Sequence, residues 1–240
     1  MTDDQSGDPA DTPATRRSVR SFVIRGGRAT VAQQRALDEL WPRYGIEFDP
    51  SGTDLNQTFA RSAPRMLEIG FGAGEALLHF AQRHPELDCI GIEVHKPGVG
   101  HLLLGVEAAG LQNVRVICHD AVEVLQRQLA PGSVDLIHIF FPDPWHKKRH
   151  HKRRLIQPAF VELLARVLAV GGTLRLATDW EHYAMQMREV IDANASFVNE
   201  SDTGFVARNE ERPLTRFERR GHRLGHGVWD LSYRRVTLAL

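Results

Sequence analysis

Residues 66–75 read Met66-Leu67-Glu68-Ile69-Gly70-Phe71-Gly72-Ala73-Gly74-Glu75, an apolar run followed by three glycines at alternate positions. The apolar run is typical of a buried β-strand, and the glycines allow the backbone after it to pass close to a ligand. Ligands of open α/β sheets bind beyond the carboxyl ends of the strands. The segment therefore predicts a strand, a ligand-binding turn and a helix, in that order.

Further strand-like runs follow this segment and alternate with helical patterns of apolar residues. They cover residues 89–93, 114–118, 135–140, 173–177 and 228–237. Strands that alternate with helices predict an α/β fold with a doubly wound, mostly parallel sheet. Because glycine adopts the left-handed backbone that often ends a helix, we expect Gly171-Gly172 to end the helix before the run at 173–177.

The chain of 240 residues has room for one α/β core and a small additional lobe. Residues 1–15 are rich in Asp, Pro, Thr and Gly and lack apolar periodicity, which predicts a disordered tail. The pattern of residues 16–60 predicts a basic N-terminal arm and then a helix from about Ala32 to Trp41. Residues 61–240 contain all of the predicted strands and form the predicted main domain.

Composition excludes several classes of protein. The 30 Lys and Arg residues balance the 30 Asp and Glu residues, which argues against a uniformly basic nucleic-acid binder. No apolar run approaches the roughly 20 residues of a membrane span, and no signal peptide is recognisable, so we expect a cytoplasmic protein with no membrane partner. Cys89 and Cys118 stand in short apolar runs, which favours reduced core thiols over a disulfide or a metal site.

An acidic residue stands at or just after the end of each of the first four strands: Glu68, Glu93, Asp120 and Asp143. A dinucleotide-binding turn would have glycine at position 75, whereas Glu75 there opposes a bound pyrophosphate. Carboxylates suit a cationic sulfonium cofactor better, and Glu93 is placed to accept both hydrogen bonds of a ribose diol. Any one of the four is as often a helix N-cap, but together they resemble class I S-adenosylmethionine-dependent methyltransferases.

The fourth strand is followed by Phe141-Pro142-Asp143-Pro144-Trp145, whose prolines favour an extended backbone and predict an exposed Asp143. Residues 146–154 then read HKKRHHKRR, with six permanent positive charges. A charge run is usually a solvated surface, but the position of this one beside Asp143 favours contact with phosphates. Its histidines lack the Cys pairs or the His-Glu pattern of a metal site, so we expect no metal.

With these motifs the chain closely resembles the bacterial tRNA (guanine-N7)-methyltransferase family. The matching segments are residues 20–28, 67–72, 140–148, 177–180, 215–221 and 227–231. The resemblance spans about residues 16–236, and Pro-Asp-Pro-Trp with its lysine pair is specific to the family. It implies a Rossmann-like class I methyltransferase fold, with a mostly parallel seven-stranded sheet flanked by helices.

The resemblance also implies an activity and a set of site residues. The implied enzyme transfers a methyl group from S-adenosylmethionine to N7 of a guanine in tRNA, in the variable loop, with Asp143 as the catalytic residue. The expected cofactor-binding residues are Glu68, Gly70, Gly72, Glu93, Asp120 and Asp143. The implied substrate-binding residues are Lys147, Asp179, Thr215, Arg216, Phe217 and Glu218. The implied RNA-binding residues are Arg149, His150, His151, Lys152, Arg153 and Arg154.

Guanine N7 has an in-plane lone pair and no proton, so positioning is expected to supply most of the catalysis. Asp143 is expected to stabilise the positive charge of the product ring, and Asp179 or Glu218 to accept hydrogen bonds from guanine N1–H and N2–H₂. Trp145 and Trp180 are candidates for base stacking, although packing is the commoner role of tryptophan.

Other interpretations stay open at this stage. Thr215 and Glu218 also fit a capping box, in which they would begin a helix. The chain as a whole could be a methyltransferase for a small molecule or a protein, against which the basic run argues. It could also be a non-catalytic RNA-binding module, against which the strand-end carboxylates argue. The expected partner is tRNA, with no obligatory protein partner, and the chain is expected to be a monomer or a homodimer.

Overall fold

The computed structural model of the protein describes residues 27–214, residue 218 and residues 227–237. The predicted disordered tail, most of the predicted basic arm and the predicted substrate residues 215–217 lie outside these ranges. The division of the chain at residue 60 stays a prediction.

A seven-stranded sheet organises the described part of the chain. Its strands are Arg65–Ile69 (β1), Asp88–Ile92 (β2), Val114–Ile117 (β3), Val134–Phe140 (β4), Leu168–Thr178 (β5), Phe197–Asn199 (β6) and Trp229–Arg235 (β7). The spatial order is β3-β2-β1-β4-β5-β7-β6, with β1 to β5 parallel and β7 antiparallel to both of its neighbours. The doubly wound, mostly parallel sheet predicted from the sequence is confirmed.

Helices cover both faces of this sheet. They are Val31–Glu39 (α1), Trp41–Tyr44 (α2), Leu55–Phe59 (α3), Glu75–Arg83 (α4), Lys96–Ala108 (α5), Ala121–Glu123 (α6), Pro158–Val167 (α7) and Glu181–Asp192 (α8). A short π-helix, Val124–Gln128, continues α6, and a 3₁₀ helix spans Lys148–Arg153. None of the helices in the described ranges is long and apolar enough to cross a membrane.

The core lies in two layers because successive strand residues point to opposite faces. Met66 packs in the layer under α1, α4 and α5, whereas its neighbour Leu67 packs in the larger layer under α7 and α8. Strand β2 is buried at every position, as expected for a central parallel strand with both faces covered. This packing brings the carboxyl ends of β1, β2 and β4 to one edge of the sheet.

Two local predictions differ from the structure, and one strand was not predicted. Helix α7 ends at Val167, and Gly171, with φ of 82°, lies inside β5 beside an irregular pairing with β4, so the prediction that Gly171-Gly172 ends the helix is wrong. The helix predicted from Ala32 to Trp41 is two helices, because the first ends at Glu39 and the second begins at Trp41 with a proline in its first turn. Strand β6 has three residues, too few for a readable pattern.

Helix α5 makes two close backbone contacts through glycines. A Cβ atom on Gly98 would lie 2.1 Å from the carbonyl oxygen of Gly72, and a Cβ atom on Gly100 would lie 2.7 Å from the carbonyl oxygen of Gln33 in α1. Backbone atoms cannot move aside as the end of a flexible side chain can. The N-terminal helix and the glycine turn after β1 are therefore both positioned by α5.

We predict that Gly100→Ala destabilises the protein by about 1–3 kcal/mol, because overpacking against the α1 backbone outweighs the gain of roughly 1 kcal/mol in helix propensity. Gly105→Ala is the matched control, since its Cβ would meet only the end of the Leu78 side chain. Denaturant unfolding measures both free energies. Equal stability of the two variants would contradict the close-packing interpretation.

Candidate active site

A cavity of about 660 Å³ opens at the carboxyl ends of β1, β2 and β4. Its lining includes the turn 70–73 and the four strand-end carboxylates Glu68, Glu93, Asp120 and Asp143. The volume falls within the range of roughly 300–1,000 Å³ that small-molecule and cofactor sites occupy. The structure thus brings together all six residues that the sequence suggested for cofactor binding.

The glycine turn has a backbone that only glycine adopts readily. Gly70, Gly72 and Gly74 have φ of 73°, 59° and 81°. A Cβ atom on Gly70 or Gly72 would meet nothing within 4 Å, so the backbone of the turn faces open space on its cavity side. The turn therefore offers bare peptide groups to a ligand, as the alternate glycines predicted.

Glu68 is the most strongly perturbed acid of the cavity. Its side chain is almost fully buried, and its Oε2 has no hydrogen-bond partner among the described residues. Burial raises the pKa of Glu68 from 4.5 to about 8, because the charged form loses its hydration. A cation that enters the cavity would favour the ionised form of Glu68, because a nearby positive charge lowers the pKa of a carboxyl group.

The carboxylates of Glu93 and Asp120 also accept hydrogen bonds from nearby backbone amides. Glu93 accepts hydrogen bonds from the amides of Gly72 at 2.9 Å, Val94 at 2.7 Å and His95 at 3.0 Å, which joins the end of β2 to the glycine turn. Asp120 Oδ1 accepts from the amide of Val122 at 2.9 Å and caps α6. The N-cap role is therefore realised for Asp120, and it leaves the second carboxylate oxygen available.

The segment Phe141–Trp145, here called the PDPW segment, begins and ends in left-handed backbone. Phe141 has φ of 52° and Trp145 has φ of 46°, conformations that cost non-glycine residues of order 1–3 kcal/mol each. The amide of Phe141 donates to the carbonyl of Ala177 in β5 at 2.8 Å. Asp143, between the two prolines, is exposed at the cavity, as the proline argument predicted.

Arg154 does not have the surface position that the sequence suggested. It is 1% exposed, its Nε donates to the carbonyl of Pro144 at 2.8 Å, and its Nη1 donates to His182 at 3.1 Å and to Gln186. Its guanidinium also lies 4.7 Å from the ring centre of Tyr183. This position does not favour the predicted RNA contact of Arg154, because its guanidinium holds the PDPW segment from inside the protein.

Glu218 is likewise placed inside the protein. Its side chain has no exposed surface and pairs with Arg212 and Arg208, each at 2.9 Å. In this structure Glu218 forms buried ion pairs, and its contact with a guanine stays a prediction.

The other RNA and substrate candidates that the structure describes lie outside the cavity lining. Residues Lys147, Lys148, Arg149 and Lys152 are exposed, and residues His150, His151, Arg153 and Asp179 are partly exposed. The guanidinium of Arg153 lies over the ring of Trp145 at 5.1 Å. His146 contacts the Trp180 ring edge-on at 4.2 Å, which brings the PDPW segment beside the loop that contains Asp179.

Sequence reasoning missed several residues of the site. Gln33 and His101 line the cavity, and His101 Nδ1 lies 2.9 Å from the carbonyl of Ala73. Arg212, which contacts Phe141, was also missed. The sequence gave no signal for these residues, because the groups they meet are distant in the sequence. No group of three or more metal-binding side chains occurs within the described ranges.

The fold and the carboxylate-lined cavity define a class I S-adenosylmethionine-dependent methyltransferase. Solved structures with the same fold include the 16S rRNA methyltransferase KamB, with a TM-score of 0.57, 16% identity and coverage of 78% of this chain and 95% of that one. Another is the 16S rRNA (adenine(1408)-N(1))-methyltransferase from Catenulisporales acidiphilia, with a TM-score of 0.55, 14% identity and coverage of 81% and 95%.

Sequence comparison gives the family. Residues 62–231 match the family described as "Putative methyltransferase". The tRNA (guanine-N(7)-)-methyltransferase of Ectopseudomonas mendocina is 55% identical over 98% of this chain and 99% of its own length. That of Aeromonas hydrophila is 56% identical over 92% and 94%. The chain belongs to the tRNA (guanine-N(7)-)-methyltransferase family.

We predict that Glu68→Gln removes a pH dependence of stability in the ligand-free protein. Below pH 4.5 both the folded and the unfolded wild type hold the Glu68 proton, and between pH 4.5 and about 8 only the folded form keeps it. The free energy of unfolding of the wild type therefore falls as pH rises through this window. The variant, which has no carboxyl group at this position, lacks that decrease.

Denaturant unfolding at pH 5, 6, 7 and 8 provides the measurement for Glu68. Glu75→Gln is the control, because Glu75 is an exposed carboxylate of the same cavity. Parallel pH profiles for the wild type and Glu68→Gln would show that Glu68 does not hold the proton.

Proposed function

We propose that this protein transfers the methyl group of S-adenosylmethionine to N7 of a guanine in tRNA, the variable-loop guanine. The observation that supports this most is the exposed carboxylate of Asp143, which borders the carboxylate-lined cavity at one end of a run of exposed cations. A cationic cofactor and a polyanionic substrate would meet at that point. The names of relatives with about 55% identity agree with this reaction.

The residues of the cavity fit S-adenosylmethionine. The unpartnered Oε2 of Glu68 is a suitable acceptor for the cofactor's ammonium group, and the bare peptides of Gly70 and Gly72 allow close approach. Glu93 and Asp120 are assigned to the ribose diol and the adenine amino group, for which each retains acceptor capacity. When bound, S-adenosylmethionine supplies an electrophilic methyl group.

The chain's own residues then have to position the base rather than activate it. Guanine N7 is already nucleophilic, so no general base is required, and orientation is the main contribution. Asp143 stabilises the positive charge that develops on the purine ring, because an exposed carboxylate at the cavity mouth can approach that ring. Lys147 and Asp179 remain the described candidates for contacts with the guanine.

The exposed cations of residues 147–153 are assigned to the tRNA backbone. They lie on the 3₁₀ helix directly after the PDPW segment, so phosphates bound there would place the RNA beside Asp143. We propose that the chain acts in the cytoplasm, where tRNA is found. We also propose that it acts as a monomer or homodimer without an obligatory protein partner.

We predict that Asp143→Asn lowers kcat about a hundredfold or more at saturating cofactor and tRNA, because the variant loses the charge that stabilises the cationic product. Labelled cofactor and unmodified tRNA give the rate, and strand scission specific to 7-methylguanosine identifies the atom. Asp202→Asn, at an exposed position after β6, is the control and should keep the wild-type rate. Methylation by Asp143→Asn at the wild-type rate would remove Asp143 from the reaction centre.

We predict that Arg149→Gln and Lys152→Gln each weaken tRNA binding and each lower the slope of log affinity against log salt by about one. Both side chains are exposed cations beside the site. Arg127→Gln, at an exposed position in the π-helix after α6, is the control. An unchanged slope in both site variants would mean that RNA binds elsewhere, and a flat salt response of the wild type would favour a substrate other than RNA.

A further inference from the structure

The first turn of α1 borders the cofactor cavity through the side chain of Gln33. Oε1 of Gln33 accepts a hydrogen bond from the amide of Thr30 at 2.9 Å, and the hydroxyl of Thr30 accepts one from the amide of Gln33 at 3.2 Å. This reciprocal pair is a capping box, which fixes the side chain at the start of the helix. Because the cap uses the oxygen of the side-chain amide, the two N–H groups of Nε2 are left for a ligand. They have no hydrogen-bond partner among the described residues.

Helix α5 fixes the position of Gln33 relative to the glycine turn after β1. A Cβ atom on Gly100 would lie 2.7 Å from the carbonyl oxygen of Gln33, and a Cβ atom on Gly98 would lie 2.1 Å from the carbonyl oxygen of Gly72. Two neighbouring positions of one helix therefore contact α1 and the turn at close range. The side-chain amide of Gln33 is held beside the turn before any ligand binds.

The cofactor's own carboxylate is the group that the charges of the cavity suit least. S-adenosylmethionine carries this anion next to its ammonium group, and an anion that leaves water needs N–H donors. Among the described residues that line the cavity there are five carboxylates and neither a lysine nor an arginine. The five are Glu68, Glu75, Glu93, Asp120 and Asp143. Like charges repel, so donors have to offset the repulsion wherever the carboxylate binds.

Many of the donors near the glycine turn are already used by the protein. The amides of the three glycines of the turn donate to protein oxygens at 2.8 or 2.9 Å. The first amides of α4 follow, but Glu75 at the start of that helix opposes an anion there. Nδ1 of His101 lies 2.9 Å from the carbonyl oxygen of Ala73, so in the neutral ring Nδ1 carries the hydrogen and Nε2 can only accept. The side-chain amide of Gln33, in contrast, keeps two N–H groups free.

We propose that Gln33 binds the carboxylate of S-adenosylmethionine through the N–H groups of its side-chain amide. The N-terminal helix thereby contributes a cofactor-binding residue, in addition to the residues at the strand ends. Glu68 at the end of β1 is assigned to the ammonium group, so two separate elements bind the two charged groups of the cofactor's amino-acid moiety. This inference deepens the proposed function and rests on it for the identity of the cofactor.

The test measures cofactor binding to the full chain by calorimetry with two ligands. One is S-adenosylmethionine, and the other is decarboxylated S-adenosylmethionine, which keeps the ammonium, sulfonium and adenosine groups. Gln33→Glu removes both donors and adds a negative charge, while its carboxylate can still accept from the Thr30 amide and complete the capping box. Gln33→Met removes the donors without adding a charge. Gln34→Glu and Gln34→Met are the matched controls, because Gln34 is exposed in the same helix and lies outside the cavity lining.

Both Gln33 variants should raise the Kd of S-adenosylmethionine about tenfold or more, because hydrogen bonds to an ionised group are among the strong ones. The Kd of the decarboxylated ligand should rise by less than about threefold in either variant. In Gln33→Glu it should stay level or fall, since the added charge attracts a ligand that has only positive charges. The Gln34 variants should keep both constants within about twofold of the wild type.

Equal weakening of the two ligands in the Gln33 variants would overturn the proposal, because Gln33 would then shape the cavity without contacting the carboxylate. An unchanged Kd of S-adenosylmethionine in both variants would overturn it as well. Melting followed by circular dichroism shows whether each variant folds. If Gln33→Glu does not fold, Gln33→Met decides, and if neither folds, Gln33 has a structural role and the proposal is refuted. A wild type that binds the cofactor but does not methylate guanine N7 would refute the proposed function alone.

Discussion

The conformation of the PDPW segment is the constraint on which the rest of the site depends. Two non-glycine residues in left-handed backbone are unfavourable in an isolated chain, so surrounding contacts have to hold them. Two buried arginines provide such contacts, one at each end. Arg212 packs against Phe141, and Arg154 donates to the carbonyl of Pro144. Asp143, between these two points, is exposed at the cavity as a consequence.

Three groups of charged side chains around the site differ in their environment. Carboxylates at the strand ends surround a cavity in which burial raises the pKa of Glu68 and leaves one of its oxygens unpartnered among the described residues. Exposed cations of residues 147–153 face solvent, where they attract a polyanion over a distance of about a Debye length. Arg154 and Arg212 are buried outside the cavity lining, and they contact the PDPW segment that lies between the other two groups. A zero net charge is compatible with tRNA binding because these groups are separated.

Much of the fold was predictable from the sequence because its determinants are local. Alternating β-branched and helical patterns predicted the alternation of strands and helices along the chain, and the alternate glycines predicted the turn with positive φ at Gly70 and Gly72. The helix end at Val167 was not predictable, because Leu168 leaves the helix to pair with Val134 in a strand more than thirty residues earlier. Burial by residues that are distant in the sequence decides which charged side chains lie inside the protein, and the sequence does not show it. Arg154 reads as one more cation in a basic run until Tyr183 and Gln186, far along the chain, cover it.

The most direct test of the role of these arginines is a structure of the protein in complex with tRNA and S-adenosylhomocysteine. The expected result has the Asp143 carboxylate beside the target guanine and the cofactor sulfur, with exposed side chains of residues 147–153 on the phosphates. Arg154 still donates to Pro144, Arg212 still packs on Phe141, and neither arginine contacts RNA. A complex in which Arg154 or Arg212 leaves its buried partners and bonds to the RNA would contradict this division of roles.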